Sequence, residues 1–111
     1  FGSVSMAFAT NAHYDTELPA MQGHVTLVES TRTDNSMNAK NSIISPNTGM
    51  KCWVDCLIGS SPVQETERIQ CNTGDTPLYY YTSWSGPCRA RAYGDKWIVY
   101  SWPVEGFFNF G

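Results

Sequence analysis

The sequence predicts an all-β protein, a single antiparallel barrel or sandwich of about eight short strands with two disulfides. Three observations predict it. Nearly every apolar pattern has period two, turn-forming residues interrupt the pattern at short intervals, and the cysteines are four, an even number. A length of 111 residues fits one domain, residues 1–111.

The elements follow in chain order. Val4, Met6 and Phe8 alternate with Ser3, Ser5 and Ala7, as a half-buried strand does. His13, Asp15 and Glu17 also alternate, in a polar segment leading to Pro19, which limits residues 16–22 to one helical turn. Val25 and Leu27 mark a second strand. Residues 30–50 read as a long polar loop with Asn35, Asn38, Asn41 and Asn47. Its one apolar island, Ile43-Ile44, allows no more than a short edge strand. Loops of this length in small domains are usually functional or mobile.

Residues 51–58 form a strand with Cys52, Val54, Cys56 and Ile58 on one face. Gly59-Ser60-Ser61-Pro62 turns the chain, Ile69 and Cys71 belong to a returning strand, and residues 72–77 turn again. Leu78 to Trp84 is rich in aromatic residues and Thr, which suit a pleated surface. Cys88, Ala90 and Ala92 then alternate with Arg89, Arg91 and Tyr93. Tyr93-Gly94-Asp95-Lys96 reads as a hairpin turn, with Gly94 supplying positive φ, into a strand over 97–102. A short strand over Val104–Phe110 closes the chain.

The cysteines are spaced C-x3-C-x14-C-x16-C, without the close pairs or nearby histidines of zinc sites. Two disulfides in an oxidising compartment are expected. An extended 51–58 segment puts Cys52 and Cys56 about 13 Å apart, too far to join. Three pairings remain possible on count alone; hairpin geometry favours Cys56–Cys71 with Cys52–Cys88 outside it. The chain opens on Phe1, which suggests a cleaved secretory signal and an extracellular location, with tag removal as the alternative.

Composition excludes several classes. Only 15% of residues are charged and the net charge is −3, which disfavours binding to a nucleic-acid backbone. No apolar run is long enough to span a membrane as a helix. No Gly-x-Ser-x-Gly elbow, phosphate loop, cofactor motif or N-glycosylation sequon occurs. Neither a catalytic residue nor a resident metal or cofactor is expected. His13, Asp15 and Glu17 would share one face if extended, a set that can bind a divalent metal, although solvated polar segments often contain such strings. His13, His24, Glu67 and Arg89 supply the residue types of a ribonuclease, but no spacing ties them together. Arg89 and Arg91 share a strand face that is either an anion patch or ordinary solvent surface.

The aromatic residues are the most informative functional feature. Eleven of the fifteen fall between Tyr79 and Phe110. Three consecutive tyrosines, Tyr79 to Tyr81, force at least one outward. Exposed Tyr and Trp stack on sugar rings or anchor protein interfaces. Tyr79, Tyr81, Trp84 and Trp102 are the expected contact residues, and the 30–50 segment is a second candidate surface.

With its processed start, four cysteines, β-rich and Ser/Thr/Asn-rich composition and lack of catalytic motifs, the chain resembles small secreted fungal effectors, specifically those elicitors that trigger a plant hypersensitive response. The rice-blast elicitors are the nearest group. The resemblance implies a non-enzymatic extracellular protein that contacts a host protein or cell-surface component. It implies no residue roles. The alternative is a lectin-like module that uses the same aromatics on glycans. A secreted hydrolase, or a protease inhibitor presenting Ser60-Ser61-Pro62, has less in its favour.

Overall fold

The computed structural model describes residues 11–45 and 49–111, so the strand expected at Val4–Phe8 lies outside the described residues. Nine antiparallel strands are described, in two sheets that do not close into a barrel. One sheet holds β1 (Asn11–Leu18), β3 (Ala39–Ser45), β7 (Gly74–Leu78) and β9 (Trp102–Asn109), in the order β1-β9-β3-β7. The other holds β2 (Val25–Arg32), β4 (Met50–Cys56), β5 (Val63–Gln64), β6 (Ile69–Cys71) and β8 (Gly86–Gly94). Its order is β2-β8-β4-β5, with β6 also paired to β4.

Alternation explains the core. Tyr14, Leu18, Ile43, Leu78, Val104 and Phe108 from the first sheet are buried, as are Leu27, Cys52, Val54, Ala90 and Ala92 from the second. Each large apolar side chain so buried contributes about 1.5–3 kcal/mol relative to exposure. Small Ala90 and Ala92 share this core with the larger groups, a mixture of volumes that helps the layers interdigitate.

The structure revises several expectations. The polar His13 segment is strand β1, with His13, Asp15 and Glu17 on its exposed face. The expected helical turn is reduced to a 3-10 turn, Ala20–Gln22. The polar loop at 30–50 contains β3, which is an interior strand between β9 and β7. Residues 79–85 form no long strand: β7 occupies the expected turn, and Pro77 is tolerated because β7 lies at the sheet edge. Ile58 lies beyond the end of β4 and is exposed rather than facing the core with Cys52.

The expected hairpin at Tyr93–Lys96 is absent, because β8 and β9 belong to different sheets. Gly94 is needed for a close approach, not for a positive φ. A Cβ there would meet the indole of Trp102. Residues 95–101 carry the chain from one sheet to the other, and the expected strand over 97–102 is mostly this crossing.

Cys52 and Cys71 form a disulfide, while Cys56 and Cys88 are buried free thiols. The expected Cys56–Cys71 and Cys52–Cys88 pairing is therefore corrected, and one disulfide replaces two. Register is the cause. The returning chain splits into β5 and β6, which sets Val63 against Cys56 and Cys71 against Met50, two residues from Cys52 and on the same face. Cys56 instead lies directly opposite Cys88 in the β4–β8 ladder.

Candidate functional site

The Tyr79–Tyr81 segment leaves β7 at one end of the sandwich. Tyr80 makes an isolated bridge to Thr66, and the Tyr81 N–H donates to the Glu65 carbonyl at 2.8 Å. The Tyr80 hydroxyl donates to the Phe110 carbonyl at 2.7 Å, and its ring meets Trp84 edge-on. Burial raises the Tyr80 pKa, with Cys88 adding to the rise and Arg32 opposing it. The phenol therefore stays a donor at neutral pH. With Tyr80 turned inward, its neighbours turn outward: Tyr79 is 62% exposed and Tyr81 58%. Thr82, whose hydroxyl donates to Glu65, and Ser83, whose hydroxyl donates to the Asn35 carbonyl, rim the pair with polar groups.

Arg32 is the internal support. It is buried, donating to the Trp84 and Met37 carbonyls at 2.7 Å each. Its guanidinium lies 3.8 Å from the Tyr80 ring centroid and 5.0 Å from that of Trp84. Desolvated cation–π contacts of this kind reach about 2 kcal/mol.

The other two expected contact residues fare differently. Trp84 is half-buried against the core. Trp102 is buried in the core beside Gly94 and is removed from the contact surface. Trp97 and Tyr100, not chosen from sequence, are exposed at the opposite end. The signal for them was available: two aromatics in a run preceded by Gly94-Asp95-Lys96 suit a loop as well as a strand.

A second aromatic cluster covers the outer face of the five-stranded sheet. His24 stacks on Tyr93 at 5.2 Å and meets Trp53 edge-on at 5.1 Å. Arg68 lies 4.2 Å from the Trp53 ring centroid, and Arg91 donates to Thr26. Burial lowers the His24 pKa, and Arg68 and Arg91 lower it further. Arg89 pairs with Asp55 at 3.0 Å, and Asp55 also accepts from the Trp53 indole. The Arg89/Arg91/Tyr93 alternation was visible in the sequence. The register that brings Trp53 and His24 beside it was not.

The polar sets considered from sequence do not assemble. His13 pairs with Glu105 at 2.8 Å, while Glu17 accepts from Ser101. Among the described residues no three histidine, cysteine or acidic side chains are placed to hold a metal. His13 belongs to β1 of the four-stranded sheet, whereas His24 precedes β2 and packs on the five-stranded sheet, and Arg89 is engaged by Asp55. Cys88 is buried and its thiol is pushed up to about 12, mainly by burial, which keeps it protonated and inert.

No family model, curated protein or solved structure matches the chain. The fold and surface alone define a two-sheet antiparallel β-sandwich with one disulfide and outward aromatics at both ends.

Proposed function

We propose that the protein is a secreted, non-enzymatic recognition protein that acts by surface contact on a plant host protein or cell-surface component, in the manner of fungal elicitors. One observation carries this reading: Tyr79 and Tyr81 are held outward by a pinned Tyr80. Aromatic side chains presented on a fixed backbone lose little entropy on binding, so they contribute contact area efficiently. The Cys52–Cys71 disulfide suits an oxidising, extracellular compartment.

A glycan is the second reading. The hydroxyls of Thr82 and Ser83 and the carboxylate of Glu65 beside the tyrosines favour it, since sugars need both a ring face and hydrogen-bond partners. Infiltration of purified protein into leaf tissue, run beside a glycan array, tests both. Wild type is expected to induce a defence response that Tyr79→Ala/Tyr81→Ala loses while its unfolding transition is unchanged. Retention on the array, lost in the same variant, assigns the glycan. An inert wild type, or an equally active variant, overturns the elicitor reading.

A further inference from the structure

The 95–101 crossing concentrates apolar surface at the end of the sandwich opposite Tyr79. Trp97, Val99 and Tyr100 are 67%, 77% and 63% exposed, while Ile98 among them packs against the core. Met21, 52% exposed, joins them from the β1–β2 connection, its N–H donating to the Ile98 carbonyl at 2.6 Å. That connection is strained. Met21 and Gln22 have φ of 56° and 58°, in the left-handed region that non-glycine residues seldom occupy. Such strain persists where neighbours hold it, here through Met21 on Ile98 and through Gln22 Nε2 on the Gly94 carbonyl. Two connections clipped together thus present apolar side chains outward at one tip.

Charge surrounds the tip unevenly. Lys96 lies in the crossing itself, and Lys51, Arg68 and Arg91 flank it on the outer face of the five-stranded sheet. None of these four forms an ion pair among the described residues. Arg91 lies three residues before the end of β8, about 10 Å at strand rise and within about one Debye length of the tip. Asp95 adjoins Lys96 in the crossing and accepts from Gln70, and Glu67 adjoins Arg68, so the excess of positive charge on this flank rests on Lys51 and Arg91. Asp15, Glu17 and Glu105 all belong to the other sheet. Near the tip one flank therefore carries a small excess of positive charge and the other is acidic, in a chain of net charge −3.

We propose that this end docks on an anionic lipid bilayer. Trp97, Val99, Tyr100 and Met21 enter the headgroup–acyl boundary, and the outer face of the five-stranded sheet turns toward the headgroups. Indole and phenol rings suit that boundary because one part of each is apolar and the other polar. Basic side chains near an anionic leaflet add attraction. An apolar tip with an adjoining flank in small positive excess matches a planar slab that is apolar within and negative at its surface.

Phosphatidylcholine vesicles with and without phosphatidylserine test the proposal by co-sedimentation and by tryptophan quenching with brominated acyl chains. Trp53 and Trp102 are buried and Trp84 is half-buried, so Trp97 is the tryptophan placed to meet lipid. Sedimentation is expected to be about tenfold stronger with phosphatidylserine. Quenching is expected to vanish in Trp97→Phe. Trp97→Ser/Val99→Ser/Tyr100→Ser is expected to abolish binding, and Arg68→Gln/Arg91→Gln to remove the phosphatidylserine preference, with unfolding transitions checked for both. No sedimentation, equal sedimentation with both vesicles, or quenching that survives Trp97→Phe overturns the proposal.

Discussion

Tyr80 connects the candidate surface to the core: its ring is held by Arg32 and its hydroxyl by the Phe110 carbonyl. Tyr80→Phe removes that donor and leaves a carbonyl in the buried Phe110 region short of a partner. A loss of about 1–2 kcal/mol is expected by urea denaturation, with recognition retained because the ring still anchors its neighbours. His24 offers a second test at this scale. Its folded pKa is lowered by burial and by Arg68 and Arg91, so the unfolded state binds more protons below the usual value of about 6.5. Stability is unaffected by this group above that pH. It declines as pH falls toward the folded pKa and levels off below it. NMR titration should show His24 titrating below the usual value, and Arg68→Gln/Arg91→Gln should shift it upward. No upward shift would remove those arginines as a cause. The three tyrosines were legible in the sequence because strict alternation allows few arrangements. Trp102 was misplaced because its strand begins where the sequence suggested one ending, and so its side chain faces inward.

Strand β3 shows why a polar sequence can fill a central place in a sheet. Asn41 is fully buried, accepting from the Tyr14 hydroxyl at 2.7 Å and donating to Cys52 Sγ. Tyr14 reaches it across β9, where Gly106 is the residue opposite. A Cβ at position 106 would collide with the Ser42 carbonyl and the Tyr14 ring. Gly106→Ala is therefore expected to destabilise by about 2–3 kcal/mol through overpacking, measured by thermal or urea unfolding. A near-neutral result would mean that β9 shifts freely between its neighbours. Asn41→Leu should lose about 2 kcal/mol by leaving the Tyr14 hydroxyl unpaired. Adding Tyr14→Phe should recover much of that loss, and a double-mutant cycle measures the coupling. Period-two strands such as β2, β4 and β8 were readable because one face is apolar. The strand β3 was hidden because its core-facing Asn41 belongs to a hydrogen-bonded network that no hydrophobic pattern reveals.

Across the whole molecule, the all-β class was legible, but the partition of strands between sheets was not. A turn that closes a hairpin and a connection that crosses between sheets use the same residue types, and Gly94 serves the crossing through its contact with Trp102. The cysteine pairing depended on the same missing information, since a split returning strand changes which residues oppose one another. Cys52 and Cys71 are both fully buried, with Cα atoms 6.7 Å apart and a sequence separation of 19. A loop of that size restricts the unfolded chain by about 3 kcal/mol in the chain-entropy account. Cys52→Ala/Cys71→Ala should lose about that much, with an added loss from the two cavities in the core. Cys56 and Cys88 define the complementary experiment. Both are buried, and the Cys88 thiol is held protonated. Ellman's reagent at mildly alkaline pH should find almost no reactive thiol in the native protein and two once it is unfolded in denaturant. Two thiols reacting without denaturant would show that the β4–β8 ladder opens in the native state, and none after unfolding would show that Cys56 and Cys88 are joined. The second outcome would restore a count of two disulfides, with a pairing that only the register, and not the spacing, identifies.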